Sequence, residues 1–270
     1  MASGGGDGVR AASWLQSLVG SSASVREARR LRLEALSSVT EKHAALAESV
    51  QQIDKDLPRL AVREETRARI REVLMAWLAL NNFVGYAQGM DMMCSALLAV
   101  YDRGKSATPG QDTLASLSAV ARINTDMVPL HAGDALPLER SSELAERIWN
   151  EVLSAAPSLQ AQVYAVLPQL QVFVLRAMPP CFSNVVQRQD SLVSLWDYIL
   201  LASPPLRPAR CRHLTSALLL HHRRLFEFGT DAQQNFVIFE ELVGLTTPQQ
   251  ASQIVALAQH LERVERFCGL

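Results

Sequence analysis

The sequence predicts an all-α fold, and three features of the chain predict it. Apolar residues recur at spacings of three and four along most of the 270 residues, strand-like alternation is rare, and segments rich in glycine and proline separate the periodic stretches. A hydrophobic share of 49% with 20% charged residues fits a chain that folds around a core. We therefore expect one helical domain over residues 8–270, preceded by a disordered, Gly- and Ser-rich N-terminus at residues 1–7.

Apolar stripes mark the helices in order. The first helix is expected to begin near Val25 and to end at Pro58, because proline disfavours helix in the residue before it. The segment 163–175 is interpreted as a helix broken by Pro168 rather than as a strand. The stripes that define the predicted helices lie at 36–53, 70–78, 90–101, 192–200, 214–225 and 254–264.

Breaks in the pattern predict the connections. Glycines and prolines are frequent over residues 102–142, which predicts a long, loop-like connection with one short helix. The segment 203–208 separates two helices. Thr247 followed by Pro248 is a plausible start for a C-terminal helix over residues 248–268.

Charge and cysteine content exclude several classes of protein. With 26 basic and 27 acidic residues the formal net charge is −1, which gives no reason to expect a nucleic-acid partner. The four cysteines are far apart and form no CxxC pair, so neither a zinc ribbon nor a disulfide framework is expected. No apolar run reaches the roughly 18–20 residues of a transmembrane segment. The base expectation is a cytoplasmic protein.

Histidines in one predicted helix raise the question of a metal site. His213, His221 and His222 span more than two turns, too far apart for one zinc ion. No metal is expected, and a solvated basic face with Arg223 and Arg224 is the preferred interpretation. A second basic run, at Arg26, Arg29, Arg30 and Arg32, is interpreted as a solvated helix face, with contact to an acidic protein surface or to membrane lipid as the alternative.

Two short segments do not resemble ordinary core. The first, Ile53-x-x-Asp56-x-x-Arg59, places a carboxylate and an arginine at a helix exit. The second, Gly85-Tyr86-x-Gln88-Gly89-Met90, brackets a glutamine with glycines just before a Met-rich helix. By themselves they have simpler explanations: a surface ion pair between Asp56 and Arg59, and a helix cap at Gln88.

Together, and in this order, the two segments resemble the TBC domain, whose members are GTPase-activating proteins for Rab-type small GTPases. Arg10-x-x-x-Trp14 is similar to the opening helix of that family, and Ser191-Leu-Val-Ser-Leu-Trp196-Asp197 to a later one. The resemblance covers roughly residues 8–230 and implies an irregular multi-helix fold.

The resemblance also implies roles for individual residues. Arg59 falls on the catalytic arginine and Gln88 on the catalytic glutamine, both supplied in trans to the partner's nucleotide site. Arginine suits this task because its planar, charged guanidinium matches phosphate oxygens, and glutamine is a neutral group that both donates and accepts. The remaining candidates are Asp56, Tyr86 and Gly89 as supporting residues and Arg63 and Arg67 at the docking surface.

The implied protein is not itself an enzyme but an activator of a Rab-type GTPase in its GTP form, acting in vesicle and membrane trafficking. No cofactor is expected, since GTP and Mg²⁺ belong to the partner. Recruitment to endomembranes through that partner is also implied. The sequence departs from the family pattern at Leu60, where threonine is common, and at Asp91, where asparagine is common. Two alternatives therefore stay open: an inactive TBC-like scaffold that binds a GTPase or a trafficking partner, and a plain helical adaptor.

Overall fold

The computed structural model describes residues 4–19, 47–80, 86–127, 136–228 and 231–268. These ranges contain twelve α-helices and no strand, which confirms the all-α prediction. The chain divides into two compact units, residues 1–123 and residues 124–270. The prediction of one domain over residues 8–270 stays a prediction.

The first unit is built around the buried helix α4. Helix α4 packs against α1 and α3, and α2 packs against α3. Trp14, Trp77 and Tyr101 are buried in this core, at no more than 1% exposure each. The helices with most of their length in this unit are α1 (Gly4–Val19), α2 (Ala47–Asp56), α3 (Glu64–Leu80), α4 (Met90–Arg103) and α5 (Pro109–Met127).

The beginning of the chain corrects one prediction. Residues 4–7 were expected to be disordered, but they form the first turn of α1. Asp7 holds this turn, since its carboxylate accepts from Arg10 at 2.9 Å and from Arg103 at 3.0 Å. Helices α1 and α4 also approach each other closely. A Cβ added at Gly104, which caps α4, would lie only 2.7 Å from the Cβ of Ala11 in α1.

The segment 102–142 corrects a second prediction. Where a loop-like connection with one short helix was expected, α5 runs for 19 residues and a further helix begins at Leu136. Pro109 and Pro137 lie in first helical turns, where the missing N–H has no helical partner to lose. Leu114 and Leu117 are buried at helical spacing. Proline therefore marked helix starts here rather than loops.

The second unit is organised around α9, whose residues from Cys211 to Leu220 are all buried. It packs against α6, α8 and α12, while α7 packs against α6 and α11. The helices are α6 (Leu136–Ala155), α7 (Val163–Ala177), α8 (Gln189–Leu200), α9 (Arg207–His221), α10 (Arg224–Phe228), α11 (Ala232–Gly244) and α12 (Pro248–Cys268).

Several local predictions in this unit are confirmed. The segment 163–175 is helical, and Trp149 and Trp196 are buried. The expected break at Pro168 is wrong, since this proline lies inside one continuous helix. Helix α12 begins at Pro248, and Thr247 and Gln250 form a reciprocal cap in which each side chain accepts from the other's backbone N–H. None of the helices in the described part of the chain combines the length and hydropathy needed to span a bilayer.

The predicted long helix beginning near Val25 lies only partly within the described residues. Its C-terminal end is α2, which stops at Asp56, and a 3₁₀ turn over Leu57–Arg59 follows. The basic run at residues 26–32 and the residue Gly85 lie outside the described residues.

Candidate functional site

Arg59 projects from the surface at the end of the 3₁₀ turn. Pro58 in this turn stops α2, and the side chain of Arg59 is 68% exposed. Its Nη1 donates to Oδ1 of Asp56 at 2.9 Å, and Asp56 itself is only 5% exposed. A buried carboxylate therefore holds one terminal nitrogen of an exposed guanidinium.

Asp56 serves as an acceptor for donors from two segments. Gln52, one helical turn earlier, donates from Nε2 to Oδ2 at 3.0 Å. The Tyr86 hydroxyl lies 3.2 Å from the same oxygen. An ionised carboxylate suits this arrangement because it accepts and never donates. Gln52 was not among the residues predicted from sequence, although its spacing of four from Asp56 on a helix places both on one face.

Gln88 lies in the tight turn that precedes α4, and its side chain is exposed. The backbone N–H of Tyr86 donates to Oγ of Ser49 at 3.1 Å, which fixes the start of this turn on α2. Gly89 has φ 95° and ψ −10°, a left-handed conformation that glycine adopts without strain. The turn closes where the N–H of Met90 donates to the carbonyl oxygen of Ala87 at 3.1 Å.

The predicted arginine and glutamine therefore share one support. Arg59 is bonded to Asp56, Asp56 contacts Tyr86, and Tyr86 is two residues from Gln88. The structure thus joins the two sequence motifs through a half-buried contact and leaves the side chains of Arg59 and Gln88 exposed. The roles assigned to these residues and to Gly89 stay predictions.

A second carboxyl group faces the same phenol. Oδ1 of Asp91 lies 3.0 Å from the Tyr86 hydroxyl, and Asp91 is 3% exposed. Burial raises the pKa of Asp91, and the nearby charge of Asp56 acts in the same direction, although its hydrogen bonds with Tyr86 and the backbone oppose them. Burial, together with the two carboxylates, raises the pKa of Tyr86 above its usual value, so the phenol keeps its proton.

Arg63 and Arg67 lie on either side of the start of α3, in different surroundings. Arg63 is exposed. Arg67 donates to Glu64 at 2.7 Å and to the carbonyl oxygen of Leu60 at 3.4 Å, so it also supports the turn after Arg59. Leu60, at the position where the family often has threonine, is buried. Contact of Arg63 and Arg67 with a partner stays a prediction.

The histidines of α9 correct a prediction made from sequence. His213 is 1% exposed rather than on a solvated face, and its ring lies between Glu151 and Glu265, with Nε2 2.9 Å from Glu265. Glu151 belongs to α6 and Glu265 to α12, so this position of α9 faces both of those helices. Burial and the adjacent His221 lower the pKa of His222 to about 4, so that ring is neutral near pH 7.

Arg223 and Arg224 are exposed, as expected. A cavity of about 340 Å³ adjoins His213, and its charged lining residues Glu151, Glu265 and Arg147 pair within the unit. Within the described ranges no group of side chains has the composition and proximity of a metal site.

Comparison with known proteins identifies the family to which this architecture belongs. The sequence model of the Rab-GTPase-TBC domain matches residues 7–227, well over half of the chain. The chain therefore belongs to the Rab-GTPase-TBC domain family, as the two motifs predicted. No curated protein sequence matches it.

Solved structures agree on the fold. The chain is similar to the Ypt/Rab-GAP domain of Gyp1p, with a TM-score of 0.77 at 13% identity over 96% of this chain and 89% of that one. It is also similar to a Chlamydomonas flagellar RabGAP TBC domain, with a TM-score of 0.56 at 18% identity over 82% of this chain and 75% of that one. At these identities the likeness shows the fold alone.

Proposed function

We propose that this protein is a GTPase-activating protein that supplies Arg59 and Gln88 to the nucleotide site of a Rab-type GTPase in its GTP form. One observation carries the proposal. A buried carboxylate, Asp56, joins the turn that ends in exposed Arg59 to the turn that carries exposed Gln88. Two exposed groups supported in this way can be positioned by the domain and presented together to a partner.

The chemistry of phosphoryl transfer fits these two side chains. The transition state spreads negative charge over phosphate oxygens and requires positioning and electrostatic stabilisation more than covalent catalysis. The guanidinium of Arg59 can offer N–H groups to these oxygens while Asp56 holds one side of it. The carboxamide of Gln88 can orient the attacking water, because it donates and accepts without adding charge.

We extend this proposal to the cofactors, the docking residues and the cellular location. GTP and Mg²⁺ belong to the partner, and the activator needs no cofactor of its own. Arg63, exposed between the 3₁₀ turn and α3, and Arg67 are proposed to border the docking surface. Action in membrane trafficking, with recruitment from the cytoplasm to endomembranes through the GTPase, belongs to this proposal.

Phosphate release from a panel of GTP-loaded Rab proteins tests the proposal. The wild-type protein should accelerate hydrolysis for at least one Rab, and Arg59→Ala and Gln88→Ala should each lower the stimulation by at least about tenfold. In Ras-type systems an arginine finger contributes about 10³–10⁵ in rate, so the loss for Arg59→Ala can be larger. Retained folding of each variant is checked by its circular dichroism and thermal transition.

Matched controls separate the site from general surface effects. Arg223→Ala removes an arginine of similar exposure, 55%, which is paired with Glu227 in the second unit, and should leave stimulation unchanged. Gln253→Ala removes an exposed glutamine of α12. Normal stimulation by Arg59→Ala would overturn the assignment of that residue. GTP-dependent Rab binding without stimulation by the wild-type protein would instead favour the inactive scaffold.

A further inference from the structure

The phenol of Tyr86 is placed between two carboxyl groups, and it has one hydrogen to donate. Its oxygen lies 3.2 Å from Oδ2 of Asp56 and 3.0 Å from Oδ1 of Asp91. Both distances fit hydrogen bonds, but an O–H group forms only one strong bond at a time. The other contact requires a hydrogen that comes from a carboxyl group, since two oxygens without a hydrogen between them repel each other.

The partners of the two carboxyl groups decide which one carries that hydrogen. Asp56 already accepts at both oxygens, from Arg59 at Oδ1 and from Gln52 at Oδ2, so donors and a positive charge face it. In the described part of the chain no cation pairs with Asp91, and its side chain is buried beside a second carboxylate. A buried carboxyl group without a counter-charge favours its neutral form.

We infer that Asp91 carries a proton and donates it to the phenolic oxygen of Tyr86, whose own hydrogen is thereby directed to Asp56. The hydrogen-bonded chain then runs from Asp91 through Tyr86 to Asp56, and its last member holds Arg59. Asp91 is a positioning residue in this scheme. It acts on the exposed arginine through two intermediates and on Gln88 through the backbone that follows Tyr86. This inference rests on the proposed function.

Ionisation of Asp91 reverses the arrangement. The hydrogen of Tyr86 is then attracted to the new carboxylate, the bond to Asp56 is lost, and a second negative charge lies beneath the residues that meet the partner's phosphates. Stimulation of the GTPase should therefore fall as the pH rises through the titration of Asp91.

Other groups near Asp91 do not replace it in this role. Among the described residues, the titratable side chains that face it are Tyr86, Asp56 and the thiol of Cys94 on the next turn of α4. Burial raises the pKa of Cys94 to a value at which it stays neutral throughout the physiological range. On α3, Arg69 is bonded through two nitrogens to Asp102 at the far end of α4, so its charge is matched there.

The first experiment measures the proton and needs no partner. Infrared spectra of the full chain near neutral pH should contain the carbonyl stretch of a protonated carboxyl group, and Asp91→Asn should remove that band. Asp102→Asn, which neutralises an exposed aspartate of the same helix, should leave it in place. Absence of the band from the wild-type spectrum, or its persistence in Asp91→Asn, would overturn the inference.

The second experiment measures the consequence for activation. Stimulation of a responsive Rab is compared with the intrinsic rate at a series of pH values on both sides of the pH at which the infrared band disappears, so that the pH dependence of the GTPase alone is divided out. Wild type should lose at least about threefold of its stimulation as the band disappears, and Asp91→Asn should stay nearly constant because its amide can donate to Tyr86 at every pH. Tyr86→Phe interrupts the chain and should stimulate weakly throughout.

The two experiments distinguish failure of the inference from failure of the proposed function. If Asp91→Asn shows the same fall with pH as the wild type, the positioning role is wrong even when the infrared band is present. If no Rab is stimulated at any pH, the proposed function fails, and the infrared band still decides whether Asp91 holds the proton.

Discussion

The hydroxyl group of Tyr86 lies 3.2 Å from Oδ2 of Asp56, across 30 positions of the sequence, and this contact joins the two halves of the candidate site. Asp56 is the last residue of α2, and Tyr86 belongs to the turn before α4. The exposed residues Arg59 and Gln88 each follow one of these partners by two or three positions. Disturbing the contact between Tyr86 and Asp56 should therefore affect both exposed side chains together.

Substitution of Asp56 is the first prediction. Asp56→Asn preserves the shape of the side chain but replaces the ion pair with Arg59 by a weaker hydrogen bond from the charged guanidinium to a neutral amide. Stimulation of a responsive Rab should fall by about tenfold with little change in Rab binding, because Arg59 is still present but poorly held. Phosphate release and a binding titration against the same GTPase separate the two effects.

A matched carboxylate on the same helix provides the control. Asp54 is 48% exposed and accepts from Arg71 at 2.8 Å, so Asp54→Asn also removes an aspartate paired with an arginine. It should change stability by less than about 1 kcal/mol and leave stimulation unchanged. Equal losses from the two substitutions would mean that the effect of Asp56→Asn comes from surface charge rather than from positioning.

Gly89 supports a second prediction, which concerns the backbone. Its φ of 95° lies in the region that L-residues rarely adopt, so Gly89→Ala should destabilise the protein by about 1–2 kcal/mol and displace the adjacent Gln88. Gly89→Asn should be milder, because asparagine tolerates this region better than alanine. Chemical denaturation gives the stabilities, and Rab-stimulated phosphate release gives the effect on Gln88.

A glycine inside a helix gives the opposite expectation. A Cβ added at Gly6 of α1 would have no atom within 4 Å. Gly6→Ala should therefore stabilise the protein by about 0.5–1 kcal/mol, because alanine has a higher helix propensity than glycine. Stability changes of the same sign at both positions would contradict the argument that conformation, rather than alanine itself, decides the outcome.

Much of this site could be predicted from sequence, because its residues lie in two short motifs. Arg59 and Asp56 are three residues apart and Gln88 lies between Tyr86 and Gly89, so both motifs were visible as short patterns. The contact between Tyr86 and Asp56 depends on how α2 and α4 are each placed against α3, which local spacing does not specify. Asp91 was likewise visible in the sequence only as a departure from the family pattern, and its position beside Tyr86 became apparent in the structure.

Local sequence patterns also predicted the fold only in part. Helices with a clear apolar stripe were predicted correctly, as α4 and α12 illustrate. The segment from Pro109 was interpreted as loop-like because proline and glycine break helices in their interior, yet the same residues are tolerated in the first turn. His213 was placed on a solvated face because its partners Glu151 and Glu265 come from distant positions of the sequence.

The pH dependence of stability gives a third prediction. Burial raises the pKa of Asp91 in the folded protein above its value in the unfolded chain, which is about 3.9. Below that pH Asp91 is protonated in both the folded and the unfolded state, so its titration does not change the free energy of unfolding. As the pH rises to the folded pKa, only the unfolded state releases the proton freely, so folding becomes less favourable by a growing amount.

The Asp91→Asn variant should therefore be more stable than the wild type near neutral pH, and its advantage should shrink as the pH falls toward 4. Urea denaturation at a series of pH values measures this difference. Asp102→Asn serves as the comparison, since Asp102 is exposed and paired with Arg69. A constant difference between Asp91→Asn and wild type at all pH values would show that Asp91 does not change its protonation on folding.

The last prediction concerns the buried ion cluster of the second unit. Arg212 is 6% exposed and lies between Glu151 and Glu265, with Nη2 2.5 Å from the latter. Burial raises the pKa of Glu151, but the bonds from His213, Arg212 and Ser216 outweigh it, so the pKa is lowered overall and the carboxylate stays ionised. Arg212→Met leaves these carboxylates with less positive charge and should destabilise the protein by about 3–5 kcal/mol.

Arg223→Met is the surface counterpart, because its pair with Glu227 is exposed and 3.8 Å long, and it should change stability by no more than about 1 kcal/mol. Thermal and urea unfolding of both variants measure the difference. The loss in Arg212→Met should also shrink in acid, since protonation of Glu151 removes a charge that the substitution leaves unmatched. A small loss that does not depend on pH would mean that His213 and Arg147 already balance the two carboxylates, and that Arg212 contributes through packing alone.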